Sequence, residues 1–370
     1  MADSKPFLLR HFGPGCLAGI SLRDWLALLA ENRFHVSPAY LGKAAYISVS
    51  SVLTSLFSVA EQGLISRQLA KHQCSAPVFI LGCWRSGTTY LHNLLSVDER
   101  FISPSLFQTM YPHTCLTNEW WLRPSLEFFV PQRRFMDNMT MGLREPAEDE
   151  MALAILTLRS NMLSWVFRRN SACYDRFLDF TEATSADREL WKRHLRTFVN
   201  KVTLGNNRRP LLKSPNHTAR VQLLLELYPD ARFLHIRRHP FDVYRSLVHM
   251  ATQVTPVWGL QHYPPELIPE MVIETYKRLY HAYFSQIPLI PPGQFHDLAY
   301  EDLVASPIDQ LESAYSALNL DGFDSIRPAL EEYCREKSGY RKNRHHDIPE
   351  DVCARLKAEW QQSFAAWGYE

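Results

Sequence analysis

This chain lacks most of the features that assign a class by composition alone. Its 370 residues carry 40 Lys and Arg against 39 Asp and Glu, for a net charge of +1. That balance gives no electrostatic reason to expect nucleic acid. The seven cysteines, at 16, 74, 83, 115, 173, 334 and 353, are odd in number and contain no Cys-x-x-Cys pair. Such scatter fits a reducing compartment better than a disulfide framework. No apolar run with a cleavage site follows Lys5 and Arg10, so no cleavable signal peptide is expected and the cytoplasm is the expected location. Internal repeats and low-complexity tracts are also missing. With 46% hydrophobic and 21% charged residues, the chain is composed like an ordinary globular protein, one large domain with an appendage.

The most telling absence is a single lysine. Pro77-Val78-Phe79-Ile80-Leu81 reads as a buried strand, and Gly82-Cys83-Trp84-Arg85-Ser86-Gly87-Thr88-Thr89-Tyr90-Leu91-His92 follows it into a helix. A glycine-containing turn between strand and helix aims several backbone N–H groups at one point beside the positive end of the helix dipole, which makes a phosphate cradle. The spacing matches a Walker loop, but Thr88-Thr89 stands where that loop has Lys and then Ser or Thr. Without the lysine that neutralises the outer phosphates, ATP or GTP hydrolysis is disfavoured. The loop keeps a cation earlier in the turn, Arg85, whose guanidinium can hold an anionic group bidentately.

A second strand ends in cations. Ala231-Arg232-Phe233-Leu234-His235-Ile236-Arg237-Arg238 runs into His239-Pro240-Phe241-Asp242-Val243-Tyr244-Arg245-Ser246, a turn and helix start with Pro near its first position. Arg238 and Ser246, eight residues apart across a helix N-terminus, can converge on one dianionic phosphate.

These residues closely resemble the sulfotransferases that use 3′-phosphoadenosine 5′-phosphosulfate (PAPS). Arg85-Ser86-Gly87-Thr88-Thr89 is similar to their 5′-phosphosulfate loop, and Arg238 and Ser246 match their 3′-phosphate pair. Leu211-Leu212-Lys213-Ser214-Pro215-Asn216-His217 resembles the Leu-Lys-Ser-Pro-x-His segment of the broad bacterial-type branch. Tyr300-Glu301-Asp302-Leu303 and Trp367-Gly368-Tyr369 resemble later family segments, so the likeness covers roughly residues 75 to 370. It implies a sulfotransferase domain over 73–370 behind an N-terminal helical extension, 1–72. It also implies PAPS as co-substrate, bound by Arg85, Ser86, Gly87, Thr88, Thr89, Arg238 and Ser246. Tyr90 stands where the cytosolic branch stacks a Trp on adenine. The rival readings are a P-loop kinase or hydrolase, which would need a Lys after Gly87 and an Asp at a strand end, and a catalytically silent nucleotide-binding module.

Sulfuryl transfer is treated by analogy with phosphoryl transfer as an in-line displacement, governed by positioning and electrostatics. Arg85 is the partner for charge developing on the leaving oxygen. A singly charged sulfuryl group needs no metal, and His345-His346-Asp347, adjacent residues on a polar loop, are not expected to hold one. The acceptor hydroxyl needs a general base. The candidates are His217, the acid run Glu148-Asp149-Glu150, His92 and His113, and His217 and Glu148 are the ones chosen. Cys83 reads as a small apolar filler. Gly339 to Arg344, a late basic stretch, either completes the 3′-phosphate site or is a solvated loop. Nothing identifies the acceptor beyond a small-molecule, sugar or lipid hydroxyl.

The strands expected at 77–82, 210–213, 231–237 and 294–299 alternate with helices at 88–97, 216–228 and 240–251. They predict an α/β fold, a P-loop-like parallel sheet flanked by helices, with ligand at the carboxyl ends of the strands. A helical insertion contributes one helix from near Pro146 through Trp165 and another capped at Thr184, with Asp187 three residues on. Ser21 starts a helix in the extension. Residues 44–60 carry no charge. Their apolar side chains follow helical spacing, opposite a stripe of Ser48, Ser51, Ser55 and Ser58. Six Ser or Thr in those seventeen residues make a poor membrane span. Packing of the apolar face on the domain is expected, and peripheral contact with a membrane surface is the alternative.

Overall fold

A computed structural model describes residues 13, 15–128, 142–337 and 347–370. The helices that matter to function are, along the chain, α1 (Leu22–Glu31), α2 (Leu41–Lys71), α3 (Thr88–Leu95) and α4 (Cys115–Glu127). They continue as α5 (Glu150–Thr157), α6 (Ser185–Thr203), α7 (Pro240–Trp258), α8 (Ile268–Gln286) and α9 (Tyr300–Ala305). The strands are β1 (Val78–Leu81), β2 (Phe101–Ile102), β3 (Arg209–Lys213), β4 (Arg232–Arg237) and β5 (Phe295–Ala299).

The chain divides into two compact units. One comprises residues 74–103, 207–250 and 266–370. It holds all five strands in the order β2-β3-β1-β4-β5, every neighbouring pair parallel. β1 is central, with Val78 opposite Leu211 on one side and Arg232 on the other. Its four residues are fully buried, as a parallel strand covered on both faces requires. The core of this unit joins Val78, Ile80 and Leu234 to Leu91 and Leu95 of α3 and Leu303 of α9. The expected strands are present, but β2 is additional to them, the helix expected at 240–251 runs on to Trp258, and the segment after β3 begins as a 3₁₀ turn, Pro215–Ala219, before a helix at Val221–Leu227.

The other unit comprises residues up to 73, 104–206 and 251–265. Both expected caps are present: Ser21 accepts from the Asp24 N–H, and Thr184 and Asp187 form a reciprocal capping box. The helix expected from Pro146 through Trp165 is instead broken. α5 ends at Thr157, whose hydroxyl donates back to the Leu153 carbonyl and accepts from the Arg159 N–H. Leu158 then turns left-handed at φ 55°. A short separate helix covers Leu163–Val166.

α2 overturns the expected packing direction. It runs 31 residues, well beyond 44–60 at its C-terminal end. Its buried positions are Lys43, Ile47, Ser51, Thr54, Ser58 and Glu61, so the serine stripe faces inward. Val49, Leu53, Leu56 and Val59 are exposed. The inward stripe works because small hydroxyl side chains bond their own helix: Ser48 to the Ala44 carbonyl, Ser51 to Ser48 and Ser58 to Ser55, each at 2.8 Å. Ser48 and Ser55 also accept from Trp25 Nε1 and the Leu22 N–H of α1.

Candidate active site

The loop after β1 is bent by two glycines that sit against neighbouring atoms. Gly82 has φ 142°, and a Cβ there would lie 2.6 Å from the Ile236 carbonyl of β4. Gly87 has φ 104°, and its Cβ would lie 2.3 Å from Cδ2 of Tyr300. Both positions therefore require glycine. Two elements hold the loop from outside: the Gly82 N–H donates to Thr218 Oγ1 at 2.7 Å, and the Cys83 N–H to the Tyr280 hydroxyl at 3.3 Å. Within the loop the Ser86 hydroxyl donates to the Cys83 carbonyl at 2.8 Å. The Leu91 N–H bonds the Gly87 carbonyl, so the amides of Thr88, Thr89 and Tyr90 precede the ladder of α3, where an anion is favoured.

Arg85 occupies the left-handed region at φ 70°, a conformation that costs a non-glycine residue about 1–2 kcal/mol. Its Nε donates to Ser246 Oγ at 2.9 Å, and its carbonyl accepts from Arg238 Nη1 at 3.2 Å. Arg85, Arg238 and Ser246, from the loop, the end of β4 and α7, are thus brought together. Arg238 also lies over the Tyr300 ring, 4.6 Å from its centroid, the ring that Gly87 touches. Asp242 pairs with Arg238 at 3.5 Å and with Arg245. Burial pushes the Asp242 carboxyl up, but the hydrogen bond from Arg245 and the two guanidinium charges outweigh it and hold the carboxyl below its ordinary range. Arg237, adjacent in sequence, goes elsewhere: it pairs with Asp297 of β5, which also bonds His235 Nδ1 at 2.6 Å. The two cations at the strand end serve different ends, one the sheet and one the loop.

His217 is fully buried in the 3₁₀ turn after β3, its ring edge-on to Phe79 at 5.3 Å, one residue before the Thr218 that clamps Gly82. Lys213 ends β3 opposite Ile80 and is almost entirely buried. Its charge reaches His92 on α3. Burial first, then this charge, holds the His92 imidazole well below its ordinary value, while His92 Nε2 bonds Ser103 at 2.8 Å. Tyr90 is half-buried beside Tyr300, Tyr333 and Cys334, and burial is the main cause pushing its phenol up to about 12. Burial raises the Cys83 thiol, in keeping with a filler.

Glu148 belongs to the other unit, half-buried just before α5. The buried acids of its run are Asp149 and Glu150, and Glu150 accepts from the Ser160 hydroxyl at 2.5 Å. His113 is also in that unit, where burial chiefly pushes its imidazole down to about 4. His345, His346 and the stretch from Gly339 to Arg344 lie outside the described residues. Thr218, Tyr280 and the Tyr300 ring shape the loop yet carry no role in the sequence reading. Tyr300 alone had a signal, its place in the Tyr-Glu-Asp-Leu segment.

Comparison with known proteins decides the family. The model of the Sulfotransferase family matches residues 77–325. This chain belongs to that family. Across 362 residues, 98% of this sulfotransferase and 93% of its relative, it is 33% identical to omega-hydroxy-beta-dihydromenaquinone-9 sulfotransferase Stf3 of Mycobacterium bovis, and equally to that of Mycobacterium tuberculosis. Two solved structures share its fold. Sulfotransferase STF9 from Mycobacterium avium has a TM-score of 0.70 at 17% identity, covering 100% of this chain and 97% of that one. Sulfotransferase STF1 from Mycobacterium tuberculosis has a TM-score of 0.67 at 18% identity, covering 92% of each chain.

Proposed function

We propose that this sulfotransferase moves the sulfuryl group of PAPS to the hydroxyl of a lipid acceptor in the cytoplasm. The observation that carries the donor assignment is the convergence of Arg85, Arg238 and Ser246 beside a glycine loop that leads into the N-terminus of α3. Such a cradle fits a ligand with one anionic group on the loop and a second on the Arg238–Ser246 pair. In this reading Arg85 and the first amides of α3 hold the 5′-phosphosulfate, Ser86, Thr88 and Thr89 complete its contacts, and Tyr90 gives adenine an aromatic face to stack on. Arg85 meets the charge that develops on the leaving oxygen, and His217 takes the acceptor proton. The lipid assignment is supported by the relative at 33% identity, whose name specifies a hydroxylated dihydromenaquinone. The reducing location is supported by seven cysteines, none in a disulfide.

Ligand-dependent thermal stability tests the donor reading, because a ligand that binds only the native state raises it. Adenosine 3′,5′-bisphosphate without Mg²⁺ should raise the melting temperature, and ATP with Mg²⁺ should not. Arg238→Ala and Ser246→Ala should each weaken the bisphosphate by about tenfold or more, the loss of a charge-assisted hydrogen bond, while leaving adenosine 5′-phosphate nearly unchanged. Stabilisation by ATP with Mg²⁺ alone would support the kinase or hydrolase reading instead.

A further inference from the structure

The outer face of α2 has an inverted chemistry. Its charges between residues 41 and 66 are Lys43 and Glu61, and both are fully buried. Lys43 Nζ donates to the carbonyls of Val257 and Gly259. Glu61 accepts from Lys201 at 2.6 Å, from the backbone N–H groups of Leu116 and Thr117, and from the Thr117 hydroxyl. What this face turns outward is aliphatic: Val49, Val52, Leu53, Leu56, Val59 and Leu64, with Leu56 65% and Val59 71% exposed. Phe57 meets Trp121 of α4, ring centroids 5.6 Å apart, and the neighbouring Trp120 is 77% exposed, so the apolar surface continues onto a second helix. A helix in water normally arranges itself the other way round.

We infer that this face of α2, with the tryptophans of α4, docks on and embeds in the surface of an anionic lipid bilayer. By length and composition the helix could cross a membrane. Spanning would take Lys43 and Glu61 from the partners that satisfy them, which is costly for buried charges. A helix held by its inner stripe, with its outer face in the headgroup and upper acyl region, keeps both sets of interactions. Two further observations select a bilayer over a second copy of the chain. The tryptophans at the patch edge have the amphipathic rings that settle at membrane interfaces. The exposed charges of the helix are Arg67 and Lys71, one to two turns beyond Leu64, and the helix exposes no acidic side chain. An anionic headgroup layer complements them, whereas an identical face does not. The inference concerns where the protein sits and stands independently of the donor reading.

Flotation of the full chain with vesicles of phosphatidylcholine and phosphatidylglycerol tests it, with no donor or acceptor present. The unmodified protein should float with the vesicles and show blue-shifted tryptophan emission. Leu56→Glu combined with Val59→Glu should lower vesicle affinity at least about tenfold, since two aliphatic side chains leave the lipid and two charges would have to enter it. Arg67→Glu combined with Lys71→Glu should weaken binding to the anionic vesicles more than to pure phosphatidylcholine. A melting temperature unchanged from that of the unmodified protein, with no ligand present, shows that each variant is folded, and Leu56→Gln combined with Val59→Gln serves if the charged pair is not. Absence of flotation by the unmodified protein overturns the inference, as does equal binding by the variants. A dimer in sedimentation that these substitutions dissolve would make the face an interface between copies and overturn it as well.

Discussion

Arg85 is where the donor reading meets a measurable cost. A guanidinium-bearing residue at φ 70° is strained, and strain of this kind persists where surrounding contacts over-determine it, often at functional sites. Here the contacts are Ser246 on its side chain and Arg238 on its carbonyl. Arg85→Ala keeps the strained backbone and removes the charge. It should lower the single-turnover rate by about 10²- to 10³-fold with a much smaller change in donor affinity; an unchanged rate at saturating donor would remove Arg85 from the chemistry. The base is a second question at this scale. If His217 takes the proton, His217→Ala should cost about 10²- to 10⁴-fold in transfer, Glu148→Gln should cost less, and adenosine 3′,5′-bisphosphate affinity should stay nearly intact in both. The opposite ranking would move the base to the run before α5. Sequence could nominate these residues but not rank them, because rank depends on which one reaches the acceptor. It could not separate Arg237 from Arg238 either; that distinction comes from Asp297 on the neighbouring strand.

At the scale of elements, β1, its loop and α3 were legible because three local signals agree there: a continuous apolar strand, glycines at positive φ, and a helix start. The cap at Thr184 was legible for the same reason, a side chain bonding its own backbone three residues on. α5 was read too long because apolar periodicity continues past Thr157, while the hydroxyl that ends the helix gives only a weak signal. α2 was misread more deeply. Periodicity identifies two faces but not which one is buried, and here hydroxyls bonded to their own helix made the polar face the closer-packing one. Glycine substitutions separate the two kinds of element. Gly87→Ala places a methyl 2.3 Å from Tyr300 Cδ2 at φ 104°, so the loop must shift. It should lower the melting temperature and abolish the stabilisation by adenosine 3′,5′-bisphosphate. Gly63→Ala, on α2 with nothing within 4 Å of the new Cβ, should stabilise by up to about 1 kcal/mol from helix propensity. A neutral Gly87→Ala would mean that the loop is not held against Tyr300.

For the whole molecule, the buried histidines set a pH dependence that neither composition nor a net charge of +1 reveals. Burial, reinforced by Lys213, holds His92 well below its ordinary 6.5. Burial likewise lowers His113, to about 4, and His194, where Arg193 adds to the effect. In each case the unfolded chain takes a proton that the folded protein refuses. The contribution of these residues is therefore complete above about pH 6.5, and it declines as pH falls from there toward the folded values. The carboxyls respond in a lower window. Burial alone would raise Asp98, Asp187 and Asp297, but hydrogen bonds from Arg100, Arg159 and His235, with the neighbouring charges, hold all three below the ordinary 3.8. What they contribute is present above that value and is lost only as pH falls beneath it. Melting temperature measured from pH 8 to pH 3 should thus be level above about 7 and slope downward from about 6.5, with a steeper fall below 4, where the carboxyls join. His92→Gln should shallow the first slope without moving the second. A profile level down to pH 5 would mean that these imidazoles accept protons in the folded protein.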